Sequence, residues 1–141
     1  MTKIYLACDH AAFEAKEFVK TILDNYEVID LGTHSVDSVH YPDYGKKIAN
    51  AVLEDKGSLG IALCGSGIGI SIQVNRFKGI RGALCRSTED AKMSRLHNDS
   101  NILCLGARFN SNEEIKAIVE TWLSTEFEGG RHQTRVDLLD N

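Results

Sequence analysis

The sequence predicts an α/β fold in which a parallel sheet is covered by helices on both faces. Five short apolar runs recur along the 141 residues, and a polar, helix-compatible stretch follows each of them. Strands and helices alternating at these lengths make βαβ units, whose crossovers lay helices against both sides of a parallel sheet. No internal repeat, low-complexity segment or linker interrupts the pattern, so residues 1–141 read as one domain.

The first run, Ile4–Cys8, precedes Ala11–Leu23, where Phe13, Phe18, Val19, Ile22 and Leu23 share one helical face. Val28–Leu31 is the second strand, and Tyr44–Leu53 repeats the helical pattern more weakly. Leu59–Cys64 is the third strand, followed through a glycine loop by a helix over Ser66–Phe77. Ile80–Cys85 leads into Glu89–His97, which carries Met93 and Leu96. Ile102–Leu105 leads into Glu113–Phe127, which carries Ile115, Ile118, Val119, Trp122 and Leu123. Ser111 followed by Glu114 is the signature of a capping box at the start of that helix. Past Phe127 the chain turns polar, and residues 128–141 read as a tail departing from the core.

Composition narrows the function. A net charge of −4 argues against general affinity for nucleic acid, so any anion must be met by local positive charge. A hydrophobic content of 43% is that of an ordinary globular protein, not a disordered one. No stretch has the apolar length of a membrane helix, and the N-terminus lacks a signal-peptide pattern. Cys8, Cys64, Cys85 and Cys104 form no CxxC pair, which reads as reduced thiols of a cytoplasmic protein, not disulfides or a zinc site.

The most informative segment is Leu59–Ser71, where the third strand ends at Cys64 and Gly65, Gly67 and Gly69 alternate before a helix begins. Alternating glycines let successive N–H groups point into one concavity, and a helix start adds positive potential. A thiol on its rim meets a field that favours the thiolate. A base beside an oxyanion hole is the equipment for proton abstraction next to a carbonyl. Familiar alternatives fail on named residues. A P-loop needs a lysine where Ile70 and Ser71 stand, and a cysteine-dependent phosphatase loop needs an arginine at Ile70. A dinucleotide fingerprint follows the first strand and has an acidic partner about twenty residues on; this loop follows the third, with Cys85 near that offset.

Ligands of open α/β sheets bind beyond the carboxyl ends of the strands, where Asp9, Cys64 and Arg108 fall. Asp9 also suits a helix cap, a role compatible with touching a ligand. His97-Asn98-Asp99 closes the fourth helix; the histidine either meets free carbonyls there or serves as a general acid–base beside an amide. Arg131, His132 and Arg135 supply local positive charge. The two arginines share a face if the tail is helical, and otherwise pair loosely with Asp137 and Asp140 in solvent.

Together these segments resemble the type B ribose-5-phosphate isomerase family, which includes the galactose-6-phosphate isomerase subunits. The matching stretches are Cys8-Asp9-His10, Val28–Thr33, Tyr41-Pro42, Cys64–Ser71, His97-Asn98-Asp99, and Gly129–Val136 with Thr134 at the variable place. The resemblance implies a three-layer α/β/α sandwich, Rossmann-like, with a five-stranded parallel sheet. It implies interconversion of ribose 5-phosphate and ribulose 5-phosphate through a cis-enediolate, with no metal or organic cofactor. By the same resemblance Cys64 is the base, and the backbone of Gly65, Ser66, Gly67 and Gly69 holds the oxyanion. His97, with Asp9 and Ser66, opens the sugar ring, and Asn98 binds a sugar oxygen. His10, Arg108, Arg131 and Arg135 grip the phosphate. The family implies a homodimer or a dimer of dimers with sites shared between subunits, the 128–141 tail contacting the partner. Members often carry threonine at the place of Ser66, and some replace the cysteine while placing glutamate where Ile70 stands, so this chain falls in the thiol-based group. The rival substrates are allose 6-phosphate and galactose 6-phosphate. The rival of another class is a non-catalytic sugar-phosphate sensor.

Overall fold

A computed structural model describes residues 1–141. The elements follow in the order β1 (Lys3–Cys8), α1 (Phe13–Thr21), β2 (Glu27–Asp30), α2 (Tyr41–Glu54), β3 (Leu59–Cys64), α3 (Ile68–Val74), β4 (Gly82–Leu84), α4 (Thr88–Leu96), β5 (Ile102–Gly106), α5 (Asn112–Ser124) and α6 (Arg131–Leu138). All strands are parallel, in the order β2-β1-β3-β5-β4. The expected α/β sandwich on a five-stranded parallel sheet is the fold observed. Strand order turns between β1 and β3, the kind of switch point at which open α/β sheets bind ligands, and Asp9 and Cys64 stand at the carboxyl ends of those two strands.

The pleat sends alternate side chains to two cores. Ile4, Leu6, Ile61, Leu63, Leu103 and Leu105 face the layer of α1, α4 and α5, where Trp122 is fully buried and its indole N–H donates to Ser100 Oγ at 2.8 Å. Ala7, Ala62, Cys64, Ile102 and Cys104 face α2 and α3. These smaller residues make a thinner layer. At Gly60 a Cβ would stand 3.1 Å from both Ile48 and Val52, so α2 lies almost on the strand backbone.

Where helix limits differ from the sequence pattern, the local chemistry gives the reason. α2 begins at Tyr41, earlier than its apolar pattern, because Pro42 suits a helical first turn. α3 is shorter than expected. Gly67, at φ +78°, turns the chain into it, and the Asn75 side chain holds the exit by donating to the Ser71 carbonyl. β4 is shorter than Ile80–Cys85, since Ile80 N–H closes a turn on the Phe77 carbonyl. The capping box between Ser111 and Glu114 forms in full.

One charge lies wholly inside. Lys16 has no exposed surface and donates to Asp30 and, at 3.1 Å, to Glu17. Asp30 also accepts from Gly32 N–H at 2.9 Å, so the ion pair braces the chain leaving β2. Burial pushes the Asp30 carboxyl up, but the hydrogen bonds from Lys16, Gly32 and Lys20 outweigh it and hold the group below its usual value.

The C-terminal segment departs from its reading as a tail leaving the core. It forms α6 and folds back on its own chain: Glu128 N–H donates to the Leu96 carbonyl, His132 is buried, and the Asp140 carboxylate accepts from Gly79 N–H at 2.8 Å. As a helix it puts Arg131 and Arg135 one turn apart on one face, as that alternative required.

Candidate active site

The carboxyl edge assembles one group of candidates through backbone pairing. Asp9 N–H donates to the Leu63 carbonyl, Ala107 N–H to Cys64 and Arg108 N–H to Gly65, at 2.9–3.2 Å. Asp9, Cys64 and Arg108 therefore meet where β1, β3 and β5 end. Cys64 is 4% exposed, and its sulfur accepts the Gly67 N–H at 3.2 Å. Ser66 Oγ accepts from Ile68 N–H at 3.1 Å, which pins the loop as α3 begins.

Each loop glycine has a steric reason. A Cβ on Gly65 would lie 2.8 Å from Arg108 Nη1, so the missing side chain lets that guanidinium reach the loop. A Cβ on Gly69 would lie 2.7 Å from the Tyr41 ring, which covers the loop from the start of α2. Gly67 needs its positive φ and packs against the backbone of Leu105 and Gly106.

Asp9 caps the short 3-10 turn His10–Ala12, its carboxylate accepting from Ala11 N–H at 3.1 Å. Val39 N–H donates to His10 Nδ1 at 3.1 Å, which fixes the orientation of that ring. The other thiols are set apart from this chemistry. Burial pushes Cys8 up to about 12 and Cys85 up to about 11, and it also raises the wholly enclosed Cys104.

A second group lies at the opposite edge. α4 runs back along the sheet, so His97 at its C-cap and Asn98 stand near the amino end of β5, roughly 15 Å from the carboxyl edge by strand rise. The turn is held by Asp99, at φ +47°, whose carboxylate accepts from Arg81 and Arg95 at 3.4 and 3.2 Å. His97 and Asn98 line a cavity of about 270 Å³ with His132, Arg135, Val136 and Leu139. The His97 and His132 rings stack with centroids 4.2 Å apart and planes 17° from parallel. Glu128 faces both Nε2 atoms, 3.9 Å from His97 and 3.8 Å from His132. Desolvation and the neighbouring His97 and Arg131 charges hold His132 below the usual imidazole value, so it favours the neutral form.

The candidate residues thus form two half-sites on one chain. Asp9, His10, Cys64, the loop 65–69 and Arg108 belong to the carboxyl edge; His97, Asn98, Arg131 and Arg135 belong to the amino edge. The proposed phosphate grip is divided between them. Sequence reasoning gave no role to Tyr41, Arg86, Glu128 or the His132 stack. Tyr41 was visible as part of Tyr-Pro at a helix start. Arg86 lies over the Phe109 ring at 4.0 Å with a buried Nη1 beside Gly106, and only the fold brings those residues together.

The chain's relatives define its class, an α/β enzyme that isomerises sugar phosphates. The family model described as Ribose/Galactose Isomerase matches residues 4–139. Ribose-5-phosphate isomerase B of Escherichia coli is 44% identical over 141 residues, covering 99% of this chain and 95% of that protein. The solved ribose 5-phosphate isomerase of Thermotoga maritima superposes with a TM-score of 0.96 at 49% identity, covering 99% of this chain and 97% of that one. The type B enzyme of Trypanosoma brucei superposes at 0.93 with 38% identity, covering 99% and 98%. The chain belongs to the ribose/galactose isomerase family.

Proposed function

We propose that this enzyme interconverts ribose 5-phosphate and ribulose 5-phosphate through a cis-enediolate, in sites shared by two copies of the chain. The observation that carries the reading is the Cys64 sulfur, held by the Gly67 N–H inside a glycine loop at the carboxyl edge beside Asp9. The relatives' names supply the substrate.

A furanose is a cyclic acetal without an acidic C2 hydrogen, so the ring must open first. His97 of one copy transfers the proton between the anomeric hydroxyl and the ring oxygen, helped by Asp9 and Ser66 of the other. Cys64 then takes the C2 proton as thiolate. The electron pair moves into a C1–C2 double bond, and negative charge builds on the carbonyl oxygen. N–H groups of the 65–69 loop stabilise that charge; the Gly67 N–H, which donates to the Cys64 sulfur at rest, is released towards it once the sulfur carries the proton. Returning the proton to C1, with the hydroxyl proton moving from O2 to O1, yields the ketose. Asn98 holds a sugar oxygen, while His10, Arg108, Arg131 and Arg135 bind the phosphate. No step calls on a metal or cofactor.

The separation of the half-sites supports sharing. Cys64 and His97 lie at opposite edges of one sheet, so a second copy must present its amino edge to the thiol of the first. Contact of the 128–141 segment with the partner is part of this proposal, as is a cytosolic place in pentose phosphate metabolism. Two findings are compatible with that place: all four cysteines are free, and no helix is long and apolar enough to cross a membrane.

The test is an assay of the purified chain on ribose, allose and galactose phosphates in deuterated water. Aldose–ketose conversion with solvent deuterium incorporated is expected with ribose 5-phosphate. Preference for a hexose phosphate by a wide margin would overturn the substrate, and binding without exchange or turnover would leave a sensor.

A further inference from the structure

We propose that His97, Glu128 and His132 form a binding site for a borderline transition-metal cation such as Zn²⁺, and that an ion held there inhibits the enzyme by occupying the His97 imidazole. The inhibitory half rests on the ring-opening role proposed above for His97; the binding half does not.

The three side chains each offer one ligand atom, and all three atoms lie within 4.8 Å of one another. Two imidazoles and a carboxylate are a recurrent zinc ligand set, leaving a fourth position for water. Ligand atoms around tetrahedral zinc stand about 3.3 Å apart, given metal–ligand bonds of about 2.0–2.1 Å. One Glu128 oxygen stands 3.9 Å from His97 Nε2 and the other 3.8 Å from His132 Nε2, so the carboxylate must turn to set one oxygen, or both, on an ion between the rings. It can move, since the Glu128 and His97 side chains are 49% and 39% exposed.

A second observation points to a ligand. His132 is 6% exposed, and its Nε2, directed at Glu128, is buried with no hydrogen-bond partner. Buried polar atoms are almost always satisfied, and a metal ion would satisfy this lone pair. The His97 ring now lies stacked on His132, so it must swing out of the stack before both in-plane Nε2 lone pairs can meet one ion, while the buried His132 stays in place.

The surroundings select among ions. Arg131 begins the same helix, and Arg135 lines the same cavity, so a hard cation attracted by charge alone is repelled. Imidazole pairs instead favour zinc, nickel or copper by bonding. An ion on His97 Nε2 removes the lone pair that would accept a proton during ring opening. Inhibition should therefore be stronger on cyclic ribose 5-phosphate than on an open-chain analogue.

The test uses the purified full chain with zinc chloride for binding and inhibition, and cobalt chloride as a spectroscopic probe, in phosphate-free buffer. Wild type should bind one zinc per chain and show visible absorption bands with cobalt. Glu128→Gln should weaken zinc binding about tenfold or more and raise by the same factor the zinc concentration that halves its own zinc-free rate. Cys64→Ala should bind zinc as wild type does. Binding that survives Glu128→Gln and disappears in Cys64→Ala would place the ion on the thiol and overturn the site, as would no binding by wild type. Bound zinc that leaves turnover of cyclic substrate unchanged would refute the inhibition. A protein that fails to isomerise ribose 5-phosphate, yet loses its cobalt bands in Glu128→Gln, would uphold the metal site while removing the proposed activity.

Discussion

Mixing two inactive variants tests the shared site directly. Cys64→Ala removes the proposed base and His97→Asn the proposed ring-opening group. Each alone should lose on the order of a hundredfold or more, the usual contribution of a positioned acid or base. The thiol and imidazole lie at opposite edges of one sheet, separated by a full strand length. In a two-fold dimer each site then draws Cys64 from one copy and His97 from the other. A mixed dimer of the variants has one site carrying both lesions and one carrying neither. Random reassortment of equal amounts makes about half the dimers mixed, so activity should return to about a quarter of wild type. The assay is ribulose 5-phosphate formation after subunit exchange, with exchange verified by mass on differently tagged chains. Activity that stays at the level of the parents, despite proven mixed dimers, would refute the shared site and the distance reasoning behind it.

Further outcomes follow from contacts already described. Cys64→Ala should stop deuterium exchange at C2 while phosphate-dependent binding, followed by calorimetry, persists; normal exchange would remove the sulfur from the chemistry. His97→Asn should slow cyclic substrate far more than an open-chain analogue, and equal loss on both would count against ring opening. Gly65→Ala sets a methyl group against Arg108 and should raise KM several-fold with little change in Tm, because a remote anchor contributes mainly uniform binding. Asp30→Asn leaves the buried Lys16 without its main partner and should cost about 3 kcal/mol near neutral pH. Because the folded Asp30 is held below the ordinary aspartate value, its stabilisation is full above that ordinary value and is lost as pH falls through the lowered one. The Tm gap between wild type and Asp30→Asn should therefore narrow in acid, and a constant gap would sink the assignment.

Much of the architecture was legible because apolar runs of strand length and helical faces are local signals. Ile61 and Leu63 against Ala62 and Cys64 show the period of two that divides the cores. The thiol loop was legible for the same reason: strand end, glycines and helix start are consecutive. Contacts made by folding were not. The stack of His97 on His132 joins a helix end to a segment that reads as a loose polar tail, and no periodicity announces it. Glu128 looks like one more surface acid until α6 turns back beside α4. The same polar composition concealed α6 itself, whose inner side buries the one imidazole of His132 rather than an apolar stripe.

The close seat of α2 on β3 has a consequence for the distant loop. Ile48 and Val52 rest on the bare backbone of Gly60, while the same rigid rod carries Tyr41 at its other end, above Gly69. A single methyl added under the rod would act as a shim and tilt that aromatic cover. The shape of the mouth over the thiol can thus be tuned from Gly60, at the far end of the strand that carries the thiol.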